Sequence, residues 1–269
     1  MSFAPWSSGR WYVGALIAYA MLRHKLRIYM QYRGYIAIWM ISGASSLVLL
    51  MLWHQVSVSF PISPNAVAAY FAVAFFSKQI TTMWVSDDLA SQISEGELDY
   101  RLCRPVPVFF ELAAAIGAGG IMRALPALAI SLIVVTAYGA LSSFEPQRLP
   151  LYLVSMAISW GIQFALSWTV GTLAFVLNEV RPIILLHSAA TAVFGGMLAP
   201  IQLLPKSFAD ICMWLPFYWT FGFPIGILVP AFKVVPDGYG LILAASWLGI
   251  CSIFAWWLWN SLVVRTSRL

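Results

Sequence analysis

Apolar runs of membrane-span length alternate with short polar breaks along the chain. The first run lies near Gly34–Trp53, "GYIAIWMISGASSLVLLMLW". Others follow near Ala66–Val85, Gly120–Ala140, Leu151–Leu177, Ile183–Leu198 and Tyr239–Val263. Each approaches the ~30 Å that a hydrocarbon core requires. Backbone groups cannot stay unpaired in lipid, so the runs predict helices. The pattern predicts an all-α integral membrane protein with six transmembrane helices, forming a single domain over residues 1–269.

Two stretches break the rhythm. Trp11–Met30 couples "WYVGALIAYAML" to "RHKLRIYMQYR", which carries Arg23, Lys25, Arg27 and Arg33. Within residues 1–33 this predicts either an interfacial helix or a cytoplasmic extension of the first span. Its apolar part is short for a span, and it lacks the small-residue cleavage site of a signal peptide. Pro200–Phe232 is apolar but carries Pro200, Pro205, Pro216, Pro224 and Pro230. So broken a segment predicts short re-entrant helices, or else a seventh, kinked span.

Charge sets the orientation. With both termini cytoplasmic, the inner segments hold Arg10, Arg23, Lys25, Arg27, Arg33, Arg101, Arg104, Arg181, Arg265 and Arg268. The outer segments hold only Arg148, Lys206 and Lys233. That is a positive-inside bias. Composition agrees, because 61% of the 269 residues are hydrophobic, only 9% are charged, and the mean hydropathy is +0.84. Soluble packing hides far less apolar surface. The three cysteines, Cys103, Cys212 and Cys251, are scattered and suggest neither a disulfide framework nor a zinc site.

Intrinsic catalysis finds little support. No lysine follows a glycine, so GxxxxGK[ST] is absent and ATP cannot bind this chain in that way. His24, His54 and His187 have no metal-ligand spacing. No GxSxG elbow is present. The chain is therefore expected to hold no cofactor or metal, and to bind no nucleic acid. Lys78 and Arg123 are the cations inside predicted spans. Either they line a substrate path or they are structural, with Lys78 pairing with Glu111 or snorkelling to the inner headgroups. The aromatic-rich spans suit an amphipathic drug, a lipid or a peptide equally, so the substrate stays open.

The most charged connection is "SEGELDYRLCRPVP", Ser94–Pro107, just after Asp87 and Asp88. Leu89 and Ile93 stand four apart, as do Leu98 and Leu102, with Gly96 between the pairs. The spacing predicts a short amphipathic helix bent at Gly96, with its apolar side toward the bundle, or else a solvated loop. Pro105 and Pro107 then restart the chain before the third span.

Three motifs, in order along the chain, resemble the membrane subunits of type-2 ATP-binding-cassette (ABC) exporters, and most of all their bacterial six-span branch. They are "ISEGELDYRLCRPVPVFF", "GTLAFVLNEVRPI" and "GGMLAPIQLLPKSFADICMWLPF". The resemblance implies two facing permeases, identical or different, above a cytoplasmic ABC ATPase dimer that holds ATP and Mg. It implies a coupling helix within residues 86–107, with Asp87, Asp88, Ile93, Glu95, Gly96, Glu97, Leu98, Arg101, Arg104 and Pro105 toward the ATPase. Asn178, Glu179 and Arg181 would form a second contact. Trp11–Met30 would be the connecting helix. Pro200, Leu204, Pro205, Leu215 and Pro216 would shape an outer gate. The protein would sit in the bacterial inner membrane, among its lipids. Two other classes remain open: a secondary transporter or channel, which would want mid-span acids or inverted repeats, and a polytopic membrane enzyme acting on lipid-linked substrates.

Overall fold

The computed structural model describes residues 10–31, 33–57, 62–103 and 107–266. The described residues are helical and contain no strand. The helices are α1 (Arg10–Gln31), α2 (Arg33–Gly43), α3 (Ser45–Val56), α4 (Pro64–Thr81), α5 (Val85–Ser94) and α6 (Glu97–Leu102). They continue as α7 (Val108–Ala137), α8 (Leu149–Thr172), α9 (Arg181–Phe194), α10 (Lys206–Met213), α11 (Gly222–Leu228) and α12 (Asp237–Thr266). Four stretches are long and apolar enough to cross a membrane: Ala37–Val56, Val108–Ala137, Pro146–Phe175 and Asp237–Val263.

The two other expected spans correspond to α4 and α9, and each differs from those four for a physical reason. α4 is the axis of the bundle. Every residue from Ala66 to Phe75 is buried, so its outer surface meets protein. It therefore tolerates Asn65, Ser77, Lys78 and Gln79, which lower its hydropathy. α9 has 14 residues, about 21 Å of helix, and buries only Ile184 and Thr191. The first span is interrupted at Ala44, between α2 and α3. The expected start at Gly120 falls inside α7, which begins directly after Pro107. Proline favours a helix start at that point.

Polar cross-links fasten α4 to its neighbours. Ser77 Oγ lies 2.9 Å from the Tyr152 hydroxyl of α8. Ser131 of α7 donates to the Ala72 carbonyl at 2.9 Å. The Tyr70 hydroxyl donates to the Gly196 carbonyl at 2.7 Å, in the turn after α9. Gly120 lets α7 approach the Ile80 carbonyl, which a Cβ there would meet at 3.1 Å. α1 is an element distinct from α2 and packs along α7, with Leu22 over Gly117 and Tyr29 edge-on to Trp39.

The Arg123 side chain on α7 closes the C-terminal end of α4. It is 1% exposed. Its Nε donates to the Gln79 carbonyl at 2.8 Å and its Nη2 to the Thr82 carbonyl at 3.1 Å. Its guanidinium lies 4.8 Å from the Trp39 ring and 5.3 Å from the Trp84 ring. Helix C-termini leave carbonyls without partners, and a cation there also complements the helix dipole. The indoles add cation–π attraction.

The opposite end is held by a clasp. Arg148 pairs with Glu145 and, at 3.0 Å, with Asp237, which Lys233 also contacts at 2.9 Å. Between this clasp and α9, residues 200–232 form five short helical pieces, with α11 fully buried. Pro200 precedes a single turn over Ile201–Leu203, and Pro205 caps α10. Leu204, Leu215 and Pro216 are half-buried in the connections.

Two substitutions test this packing. Arg123→Leu leaves the Gln79 and Thr82 carbonyls unpaired and should cost about 2–4 kcal/mol, with Arg123→Lys losing less. Thermal unfolding in detergent measures both. Gly171 of α8 faces α5, where a Cβ would meet Ser86 Cα and Leu89 Cβ at 3.0 Å. Gly171→Val should therefore push α5 off α8 at a cost of about 1–3 kcal/mol, seen as faster proteolysis of the α5–α6 segment.

Candidate functional site

The charged connection folds as two helices at the α4 C-terminal end of the bundle. α5 presents Asp88, Ser91 and Glu95 outward and buries Val85, Leu89 and Gln92. Gly96 turns the chain with φ +73°, and a Cβ there would meet nothing within 4 Å. Its role is therefore conformational, since the left-handed region is open to glycine at little cost. α6 then buries Leu98 and exposes Glu97, Asp99 and Tyr100. Leu102 departs from the spacing argument, being 43% exposed, because α6 ends there after less than two turns. Ile93 is half-buried. Arg104 and Pro105 lie outside the described residues.

Ion pairs stiffen this bend. Arg101 reaches Glu97 at 3.5 Å and Glu111, in the first turn of α7, at 3.1 Å. Ser91 Oγ donates to Glu95 at 2.6 Å. Desolvation first, and the Asp87 charge second, push the Asp88 carboxyl above its usual range, against Lys25 and Arg101. Asn178 and Glu179 are exposed in the turn before α9. Arg181 opens α9 and contacts Asp87 at 3.7 Å. The two expected docking segments thus meet through that ion pair.

A cleft of about 300 Å³ opens beside this end, between α4, α5, α8 and α9. Lys78, Thr82, Asp87, Arg181, Gln163 and Ser167 supply much of its polar wall. The expected Lys78–Glu111 pair is absent, because Arg101 takes Glu111. Lys78 instead donates to Ser45 Oγ at 2.8 Å and lines the cleft. Arg123 does not line it. Both of its hydrogen-bonded nitrogens are committed to backbone carbonyls, the geometry that the structural alternative calls for.

Sequence reasoning missed most of this cleft. One signal was available: Ser155, Ser159, Gln163 and Ser167 recur every four residues along α8, a polar stripe on a membrane helix. All four are buried, and of them Gln163 and Ser167 line the cleft. Ser159 donates to the Trp219 carbonyl at 3.0 Å, and Gln163 to Thr220 Oγ1 at 3.3 Å. On α9, His187 and Thr191 face the same cleft, and their Nε2 and Oγ1 are buried without hydrogen-bond partners.

Comparison with known proteins bears on this arrangement. A search of curated proteins finds no match. A family model described as "ABC-2 family transporter protein" matches residues 62–266, from just before α4 to the end of α12. Membrane proteins of that family are permease subunits, typically non-enzymatic, and associate with an ABC ATPase. With four apolar helices of spanning length, a buried polar stripe and a bent charged helix pair at one end, this multi-pass membrane protein belongs to the ABC-2 transporter family.

Proposed function

We propose that the chain is the permease subunit of an ATP-driven exporter, coupled to separate cytoplasmic ATPase subunits that carry ATP and Mg. The observation that carries this reading is the bent α5–α6 pair, seated on α8 and ion-paired through Asp87 to the α9 turn. A docking surface needs a charged outer face for recognition and a stiff inner attachment to pass on movement. α5 and α6 combine the two. Asp87, Asp88, Ile93, Glu95, Gly96, Glu97 and Arg101, with Arg104 and Pro105 beyond them, form the main contact, and the buried Leu98 anchors α6 from the bundle side. Asn178, Glu179 and Arg181 form the smaller one.

In this reading α4 and α9 complete six spans, both termini face the cytoplasm, and α1 rests in the inner interface among lipids. A second permease, the same or different, closes the substrate path on the cleft side. Pro200, Leu204, Pro205, Leu215 and Pro216 shape the outer gate, beneath the Arg148–Asp237 clasp. The membrane is the bacterial inner membrane.

Reversing Glu95 and Glu97 to lysine tests the docking assignment. The double variant should insert and stay folded, giving up only the exposed Glu97–Arg101 pair and the Ser91–Glu95 hydrogen bond at a cost of about 0–1 kcal/mol each, and should lose ATPase co-purification or transport-linked ATP turnover by at least about tenfold. Full ATPase binding and full coupled turnover would sink it.

A further inference from the structure

Lys78 is left without an opposite charge. Its only hydrogen bond is to the hydroxyl of Ser45, and among the described residues no carboxylate pairs with it. The ionisable residues lining the cleft are Lys78, Asp87, Arg181 and His187. Asp87 is already engaged by Arg181, so with His187 neutral the cleft carries one net positive charge. An ammonium on a membrane helix is costly without a counter-charge, and such residues face polar cavities or substrate routes. Around it the lining divides into two kinds. Among the described residues the hydroxyls of Ser167, Ser188 and Thr191 make no hydrogen bond, whereas Thr81, Thr82 and Ser86 donate theirs to Ser77, Lys78 and Asp87, and Met83, Trp84, Ile184, Leu185, Met197 and Phe221 offer an apolar wall.

We propose that this cleft binds an amphiphile with an anionic headgroup, a phosphate or carboxylate held by Lys78 and nearby hydroxyls, with its apolar body along the Met83, Trp84 and Leu185 side. This names the substrate class of the permease proposed above and rests on that reading for its link to transport. The anion supplies the counter-charge the protein withholds. The hydroxyls of Ser167, Ser188 and Thr191 donate to its remaining oxygens. The volume, about 300 Å³, accommodates a headgroup and the first part of a chain, and the rest extends toward the bilayer.

The test uses the full chain, purified with the subunits that accompany it, in phosphatidylcholine nanodiscs. Calorimetry compares n-dodecyl phosphate, dodecyltrimethylammonium and inorganic phosphate. Dodecyl phosphate should bind at least about tenfold more tightly than either of the others, the scale of one charge-assisted contact. Lys78→Met should lose at least about tenfold of that affinity, and Lys78→Arg should keep most of it. Ser45→Asp places a carboxylate beside the Lys78 ammonium and should weaken dodecyl phosphate similarly while leaving the lysine in place. That variant decides the matter if Lys78→Met unfolds. Equal binding of the cationic amphiphile, equal binding of inorganic phosphate, or unchanged affinity in whichever of Lys78→Met and Ser45→Asp folds would overturn the proposal. ATPase association is scored separately on the same preparations. Its loss would count against the coupling reading alone, and lost anion selectivity with intact association would count against this one alone.

Discussion

A helix that ends inside a membrane protein must do something with its last carbonyls. Several kcal/mol are at stake for each such group left unpaired in an apolar setting. α4 meets this constraint by borrowing Arg123 from α7. The guanidinium pairs with the Gln79 and Thr82 carbonyls, and the Trp39 and Trp84 rings flank it. Residues of α2, α4, α7 and the start of α5 therefore converge on one cation. Trp84 immediately precedes α5, so the position of the charged bend follows from how α4 is terminated. No carboxylate shares the site, and the negative partners are the carbonyl dipoles themselves.

The remaining attachment of α5 is steric. Gly171 allows the α8 backbone to approach Ser86 and Leu89, and Arg101 ties α6 back to Glu111. Three independent fastenings of different physical kinds thus fix the bend: a buried cation, a close helix crossing and an ion pair. By contrast α9 buries only two side chains, and its N-terminal end is linked to α5 by one exposed pair at 3.7 Å. Exposed pairs of that kind contribute about 0–1 kcal/mol. The cleft lies between the fastened elements and the loosely held one.

Much of this was legible in the sequence, for reasons that can be named. Apolar runs gave the long helices because a span's length is set by lipid thickness. Leu89, Gly96 and Leu98 gave the bend because helical spacing and a glycine are local signals. The prolines from Pro200 to Pro230 gave the broken segment because each removes a donor. Other features depend on contacts across long separations. Nothing near Glu111 tells that Arg101, rather than Lys78, will reach it. Nothing near Arg123 announces two carbonyls more than 40 residues earlier. The start of α7 was misread because Val108–Gly119 contains Glu111, a polar residue that the bundle absorbs through an ion pair. The α8 stripe could have been read from its four-residue period, and it was obscured by the aromatic residues between its members.

This unequal fastening has a mechanical consequence. A force on the outer face of α5 is passed to α4 and α7 through Arg123 and to α8 through Gly171, all stiff paths. It reaches α9 through the exposed Asp87–Arg181 pair and through the lighter packing of α5 and α8 against α9. The cleft lies between these unequally fastened walls. The Nε2 of His187 and Oγ1 of Thr191, which have no hydrogen-bond partner among the described residues, lie on the α9 wall of that cleft and add to its polar lining on the side least firmly fastened.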